Sequence, residues 1–128
     1  MYLNGIDRCF EELNLTRPEQ VRQIHRAYLG AGAEVIQTNT YAANDHKLKR
    51  YNLEYELESI NRAGARLARS AADGTGAYVL GTIGGIRNTK PGEVSLGEIK
   101  RSNERQIEAL LSEEVDGLLL ETFYDPEE

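Results

Sequence analysis

The octapeptide Ala33-Glu34-Val35-Ile36-Gln37-Thr38-Asn39-Thr40 is apolar at its start and polar at its end. Two later runs share that design, Ala77 to Gly84 (AYVLGTIG) and Gly117 to Phe123 (GLLLETF). Each run is nearly continuous in its apolar part and lacks clean alternation. Strands covered on both faces have that character, and they occur in parallel sheets. Each run ends in polar, small or glycine residues: Gln37-Thr38-Asn39-Thr40, Gly81-Thr82-Ile83-Gly84-Gly85 and Glu121-Thr122. Polar groups collected at the carboxyl ends of parallel strands mark the ligand face of an α/β protein.

Helical patterns separate the runs. Thr16-Arg17-Pro18-Glu19 reads as a capping box with proline in the first turn. Val21, Ile24, Tyr28 and Leu29 follow on one expected apolar face, and Gly30 and Gly32 end the helix. A second helix carries Leu57, Ile60, Gly64, Leu67 and Ala71 on one stripe and closes at Asp73-Gly74. A third has Ser95 and Glu98 as its cap, with Ile99, Ile107, Leu110 and Leu111 expected inward. Alternating helix and strand, with connections of helical length, predicts βαβ units in an α/β fold with parallel strands.

Both ends carry expectations. Met1 to Leu3 is too short for a strand before the first helix, and Asp125-Pro126-Glu127-Glu128 reads as a helix start. Residues 1–128 are therefore expected to be part of a larger barrel, without its first strand and its second half.

Composition excludes several classes. The chain has 128 residues and a net charge of −6, with no basic cluster to bind a phosphate backbone. Nucleic acid is not an expected partner. No apolar run approaches the roughly 20 residues of a membrane helix, and Met1 to Phe10 has no apolar signal core. One cysteine, Cys9, cannot form an internal disulfide, so a cytoplasmic location is expected.

Among single residues, Glu121 draws attention. It follows Leu118-Leu119-Leu120 and should be partly buried, where a carboxylate needs a partner or a proton. It either bonds a loop N–H or a lysine, or clamps a substrate ammonium. Thr38, Asn39 and Thr40 either contact a ligand or satisfy loop backbone. Gly81, Gly84 and Gly85 allow close backbone approach or simply turn the chain; no Gly-Lys-Ser/Thr follows, so this is no P-loop. His25 reads as packing or solvent-facing, His46 as exposed, Cys9 as structural, and Lys47, Lys49 and Arg50 as a solvated face. No catalytic nucleophile–base set is expected.

The wording of the chain resembles the homocysteine S-methyltransferase family. Asp7-Arg8-Cys9-Phe10-Glu11-Glu12-Leu13-Asn14-Leu15, Arg17-Pro18-Glu19, Ile24-His25 and Ala31 to Thr40 carry the likeness. So do Ile60-Asn61-Arg62-Ala63, Leu67-Ala68-Arg69 and Val115-Asp116-Gly117-Leu118-Leu119-Leu120-Glu121-Thr122, the last fitting the family's fourth strand. Gly81-Thr82-Ile83-Gly84-Gly85-Ile86-Arg87 more narrowly resembles bacterial proteins that fuse this domain to a methylenetetrahydrofolate reductase; many other relatives have Gly-Ser-Ile-Gly-Pro at this turn.

The resemblance implies a (β/α)8 TIM-type barrel in which a zinc ion held by three cysteines binds the homocysteine thiol as thiolate. Methyl transfer from methyltetrahydrofolate or an S-methylmethionine-like donor then gives methionine. The family's zinc cysteines and its strand-one Asp-Gly motif have no counterpart in this chain, so no metal ligand is assigned. FAD is implied only where a fused reductase domain is present. Substrate-binding roles carry over to Glu121, for the homocysteine ammonium, and to the wall Thr38, Asn39 and Thr40. Residues 1–128 alone are expected to be inactive. The rival expectations are a non-catalytic half-barrel that self-associates through its sheet edges, or another barrel enzyme such as a pterin-binding one.

Overall fold

The computed structural model describes residues 7–86 and 93–128. The start of the chain before Asp7, including the Met1 to Leu3 segment, and Arg87 of the glycine turn lie outside the described residues.

In chain order, a 3-10 turn at Phe10–Glu12 leads into α1 (Leu13–Thr16), α2 (Pro18–Gly30) and β1 (Val35–Gln37). Then come α3 (Asp45–Lys49), a 3-10 turn at Glu54–Glu56, α4 (Leu57–Ala72), β2 (Tyr78–Gly84), α5 (Leu96–Leu111) and β3 (Gly117–Glu121). The three strands form one parallel sheet in the order β1-β2-β3. The expected α/β fold with parallel strands is the one observed.

The strands are shorter than their apolar runs. β1 stops at Gln37 because Thr40 N–H turns back to the Thr38 carbonyl (3.0 Å), so the chain leaves the ladder. β3 stops at Glu121 because Thr122 adopts φ 58°, a left-handed conformation that no strand continues through. Among the described strands the central β2 is the most buried, with Thr82, Ile83 and Gly84 all buried at its carboxyl end. Val35 on β1 and Leu120 on β3 are exposed, the latter to 65%, because no described strand or helix covers the outer flanks of the sheet.

The helices pack on one side of the sheet. The stripe Leu57, Ile60, Gly64, Leu67 and Ala71 on α4 is entirely buried, as its spacing requires. Ile36 and Val79 meet Ala68 and Ala72 in one cluster, and Ile83 meets Ala65 and Leu110 in another. Complete burial of a leucine such as Leu110 contributes about 1.5–3 kcal/mol. Gly64 brings α4 close to the strand ends: a Cβ there would lie 2.7 Å from Thr40 Cγ2 and from Asn14 Nδ2.

Two helices depart from their expected faces. On α2 the buried residues are Val21 and His25, one turn apart, while Tyr28 is 64% exposed and Ile24 is also exposed. The histidine takes the inward position that the apolar count assigned to its neighbour. On α5 the inward stripe is Ile99, Ser102, Gln106 and Leu110, with Ile107 half-buried and Leu111 53% exposed. Leu111 lies about 100° around the helix from Leu110, too far to share its contact.

The caps divide likewise. Ser95 and Glu98 form the expected capping box. Thr16 does not cap α2. It is the last residue of α1, its hydroxyl donates to the Glu12 carbonyl (3.2 Å), and Glu19 pairs instead with Arg22 at 2.7 Å. Pro18 does sit in the first turn of α2. At Asp125 the side chain accepts from Glu127 N–H (3.0 Å), giving one capped turn and no helix among the described residues.

Charged ties fix the helices to the sheet. Asp116, just before β3, accepts Val79 N–H (2.7 Å) and an Arg69 guanidinium N–H (2.9 Å). Arg105 on α5 grips Glu58 on α4 through two bonds of 2.7 and 3.0 Å. Among the described residues no helix is long and apolar enough to cross a membrane.

Candidate functional site

In a parallel pair, register partners point to the same face of the sheet. Ile36↔Val79, Gly81↔Leu118 and Ile83↔Leu120 therefore share the helix side. Gln37↔Leu80, Thr82↔Leu119 and Gly84↔Glu121 share the other, inner side. Glu121 thus stands at the carboxyl end of β3 on the face free of helices. It is half-buried, as expected, and among the described residues no side chain or N–H bonds its carboxylate.

The other strand ends are tied internally. Thr40 Oγ1 donates to the Thr82 carbonyl (2.7 Å), so the 2.6 Å contact between the hydroxyls of Thr38 and Thr40 has Thr38 as donor. Thr38 Oγ1 in turn accepts Thr82 N–H at 3.0 Å. Asn39 Nδ2 donates to the Phe10 carbonyl (2.9 Å) and to Asn14 Oδ1 (3.0 Å). Gln106 reaches in from α5 to donate to the Thr40 carbonyl at 2.8 Å. These bonds spend the side chains of Thr38, Asn39 and Thr40 on the protein's own groups, with Thr38 and Thr40 buried and Asn39 half-buried.

The glycines at the end of β2 serve close approach. A Cβ on Gly84 would collide with the Tyr41 carbonyl oxygen and stand 2.7 Å from the Tyr41 ring. One on Gly85 would stand 2.7 Å from the Thr122 carbonyl oxygen. Gly84 N–H donates to the Tyr41 carbonyl (3.1 Å) and Gly85 N–H to the Glu121 carbonyl (3.3 Å). Loops from both flanking strands therefore close over the end of β2. Gly81 faces Leu110, 3.0 Å from where its Cβ would be, and serves helix packing.

Tyr41 and Lys47 are additions that the sequence pattern did not single out. Asn44 caps α3 by accepting Lys47 N–H (2.9 Å), which puts Lys47 in the first turn. Its ammonium lies 4.4 Å from the centroid of the Tyr41 ring. Lys47 is thus half-buried and does not belong to a solvated face, although Lys49 and Arg50 do. Burial holds its pKa below the usual lysine value, against the pull of Glu11. The usable signal was position: Tyr41 directly follows the polar strand end. His46 is half-buried, less open than its charged surroundings suggested. His25 is buried packing, and desolvation lowers its pKa.

Cys9 is buried, its thiol donates to Glu11 Oε2 at 3.6 Å, and burial pushes its pKa up to about 11. Such a thiol stays protonated near neutral pH when no metal is bound. Among the described residues no three His, Cys, Asp or Glu side chains converge on one point. A groove at the opposite end, lined by Arg66, Arg69, Asp73, Ser112 and Glu114, holds arginines already committed to Glu113 and Asp116. It lies at the amino ends of the strands, where barrels keep stability features.

Parallel strands with helices packed on one face, and polar residues gathered at their carboxyl ends, match a portion of a (β/α) barrel. The structure of the Escherichia coli homocysteine methyltransferase MmuM in its metallated form matches with a TM-score of 0.82 at 20% identity, over 98% of this chain and 50% of that one. Its apo form matches with a TM-score of 0.61 at 23% identity, over 89% and 42%. The methionine synthase of Mycobacterium tuberculosis is 32% identical over 127 residues, which are 94% of this chain and 11% of the relative. That of Mycobacterium leprae is 31% identical over 127 residues, 94% and 10% respectively. The family model described as homocysteine S-methyltransferase matches residues 4–128, and the chain belongs to that family.

Proposed function

We propose that this chain supplies the amine-recognising part of a site that methylates the homocysteine thiol to give methionine. The observation that carries this reading is Glu121, half-buried on the inner face with no bonding partner among the described residues. A half-buried carboxylate whose oxygens are not bonded within the protein can accept a substrate ammonium through a charge-assisted hydrogen bond. We assign Thr38, Asn39 and Thr40, at the carboxyl end of β1, to the wall of that site as positioning residues, since their side chains are spent on bonds to Thr82, Phe10 and Asn14. Family membership and the metallated form of MmuM support a metal-dependent reaction in the whole protein.

We place the zinc ligands outside these 128 residues, and no step is assigned to zinc on the residues present. The chain spans about half the length of MmuM and about a tenth of the methionine synthases, so it represents a part of the barrel whose thiolate chemistry lies elsewhere. The methyl donor is methyltetrahydrofolate or a molecule like S-methylmethionine. FAD belongs only to a fused reductase, the arrangement that the turn after Gly81 resembles. The single cysteine accords with a cytoplasmic setting.

The test is methionine formation by the protein expressed from its whole reading frame, with metal content measured on the same sample. Activity that disappears with a chelator and returns with zinc supports the reading. A folded, zinc-replete protein that leaves homocysteine unmethylated with either class of donor contradicts it.

A further inference from the structure

We propose that Lys47, seated on the ring of Tyr41, is a second charged contact of the site and receives a carboxylate of one of the two reacting ligands. The inference rests on the reading of Glu121 as the ammonium contact.

The placement follows from the register. Gly84 and Glu121 are partners on the inner face, and the Tyr41 ring occupies the place where a side chain at Gly84 would project. The ring therefore lies beside Glu121 on the same face. Lys47 Nζ stands 4.4 Å from the centre of that ring.

The ammonium is half-buried and has donors to spare. The ring attracts it without accepting a directional hydrogen bond, and among the described residues no carboxylate forms a salt bridge with it. Glu11, Arg50 and Glu128 are the charged groups that act on it. The Glu11 carboxylate is committed, with Oε1 accepting Ala42 N–H (2.9 Å) and Oε2 the Cys9 thiol. Glu128 accepts Ile86 N–H.

Two ligands could deliver the group. Homocysteine carries a carboxylate next to its ammonium, and the methyl donor carries one of its own. Both use the same chemistry at Lys47, and kinetics separate them.

The experiment uses the whole enzyme with Lys47→Met, Lys47→Gln and Lys47→Arg, with the thermal midpoint of each recorded. Losing a charge-assisted hydrogen bond should raise the KM of the ligand concerned roughly ten- to a hundredfold, with kcat much less affected. Lys47→Arg should recover most of the loss. If the homocysteine KM rises, and the penalty vanishes with 3-aminopropane-1-thiol, which lacks the carboxylate, the group is the substrate's own. If the donor KM rises instead, it is the donor's. Unchanged KM values for both ligands in folded Lys47→Met or Lys47→Gln overturn the inference. Glu121→Gln, assayed alongside, reports separately on the reading beneath it: an unchanged homocysteine KM there removes the ammonium contact whatever Lys47 does.

Discussion

Gly84 on β2 and Glu121 on β3 face each other as register partners, and the ring of Tyr41 fills the space that the glycine leaves open. The absence of a side chain at one position thus shapes the surroundings of a carboxylate on the next strand. Adding a methyl group tests this directly. Gly84→Ala should force the Tyr41 loop outward and cost about 1–3 kcal/mol, as overpacking does, measured by urea unfolding. Unchanged stability would mean that the loop does not rest on Gly84.

Gln106 ties α5 to the strand ends through its bond to the Thr40 carbonyl. Gln106→Ala removes that donor, leaves the Thr40 carbonyl with Ala43 N–H alone, and opens a cavity where the buried side chain was. The expected loss is about 1–3 kcal/mol in chemical denaturation, far more than an exposed substitution on the same helix, such as Lys100→Ala, would give.

Cys9 should be inert in the folded protein. With a pKa of about 11 only about one thiol in a thousand is ionised at pH 8. A thiol-specific reagent should therefore label Cys9 slowly without denaturant and quickly in it. Rapid labelling of the native protein would show that the segment before α1 is open.

Stability should fall with acid in two stages. His25 has its pKa lowered by burial, so the unfolded chain takes up that proton first and stability declines as pH drops below about 6.5. Glu58, whose carboxyl is held down by its bonds to Arg105, and Asp116, held down by Val79 N–H and then by Arg69, give a further decline. Both have folded pKa values below their unfolded ones, so their contribution is complete above about 4 and is lost as pH falls through the folded values. Unfolding followed across pH should show both stages, with the first absent in His25→Leu.

The sequence revealed the order of elements because that depends on local pattern. The α4 stripe and the Ser95–Glu98 cap are read from spacing alone, and both occur as expected. The Thr16 cap failed because a preceding helix claims that residue, a competition invisible within the four-residue pattern. The inward face of α2 was misjudged because tertiary packing, not apolarity, put His25 inside and Tyr28 outside. Glu121 was legible from its position at the end of an apolar run. Lys47 was not, because its meaning depends on Tyr41, and their contact arises only when α3 folds over the end of β1.

The central claim is that Glu121 holds the ammonium of homocysteine. The most direct measurement is the homocysteine KM of the whole enzyme carrying Glu121→Gln, which keeps the shape and removes the charge. A rise of roughly tenfold or more is expected, with an unchanged thermal midpoint and an unchanged KM for the methyl donor. A homocysteine KM equal to that of the unmodified enzyme would contradict it.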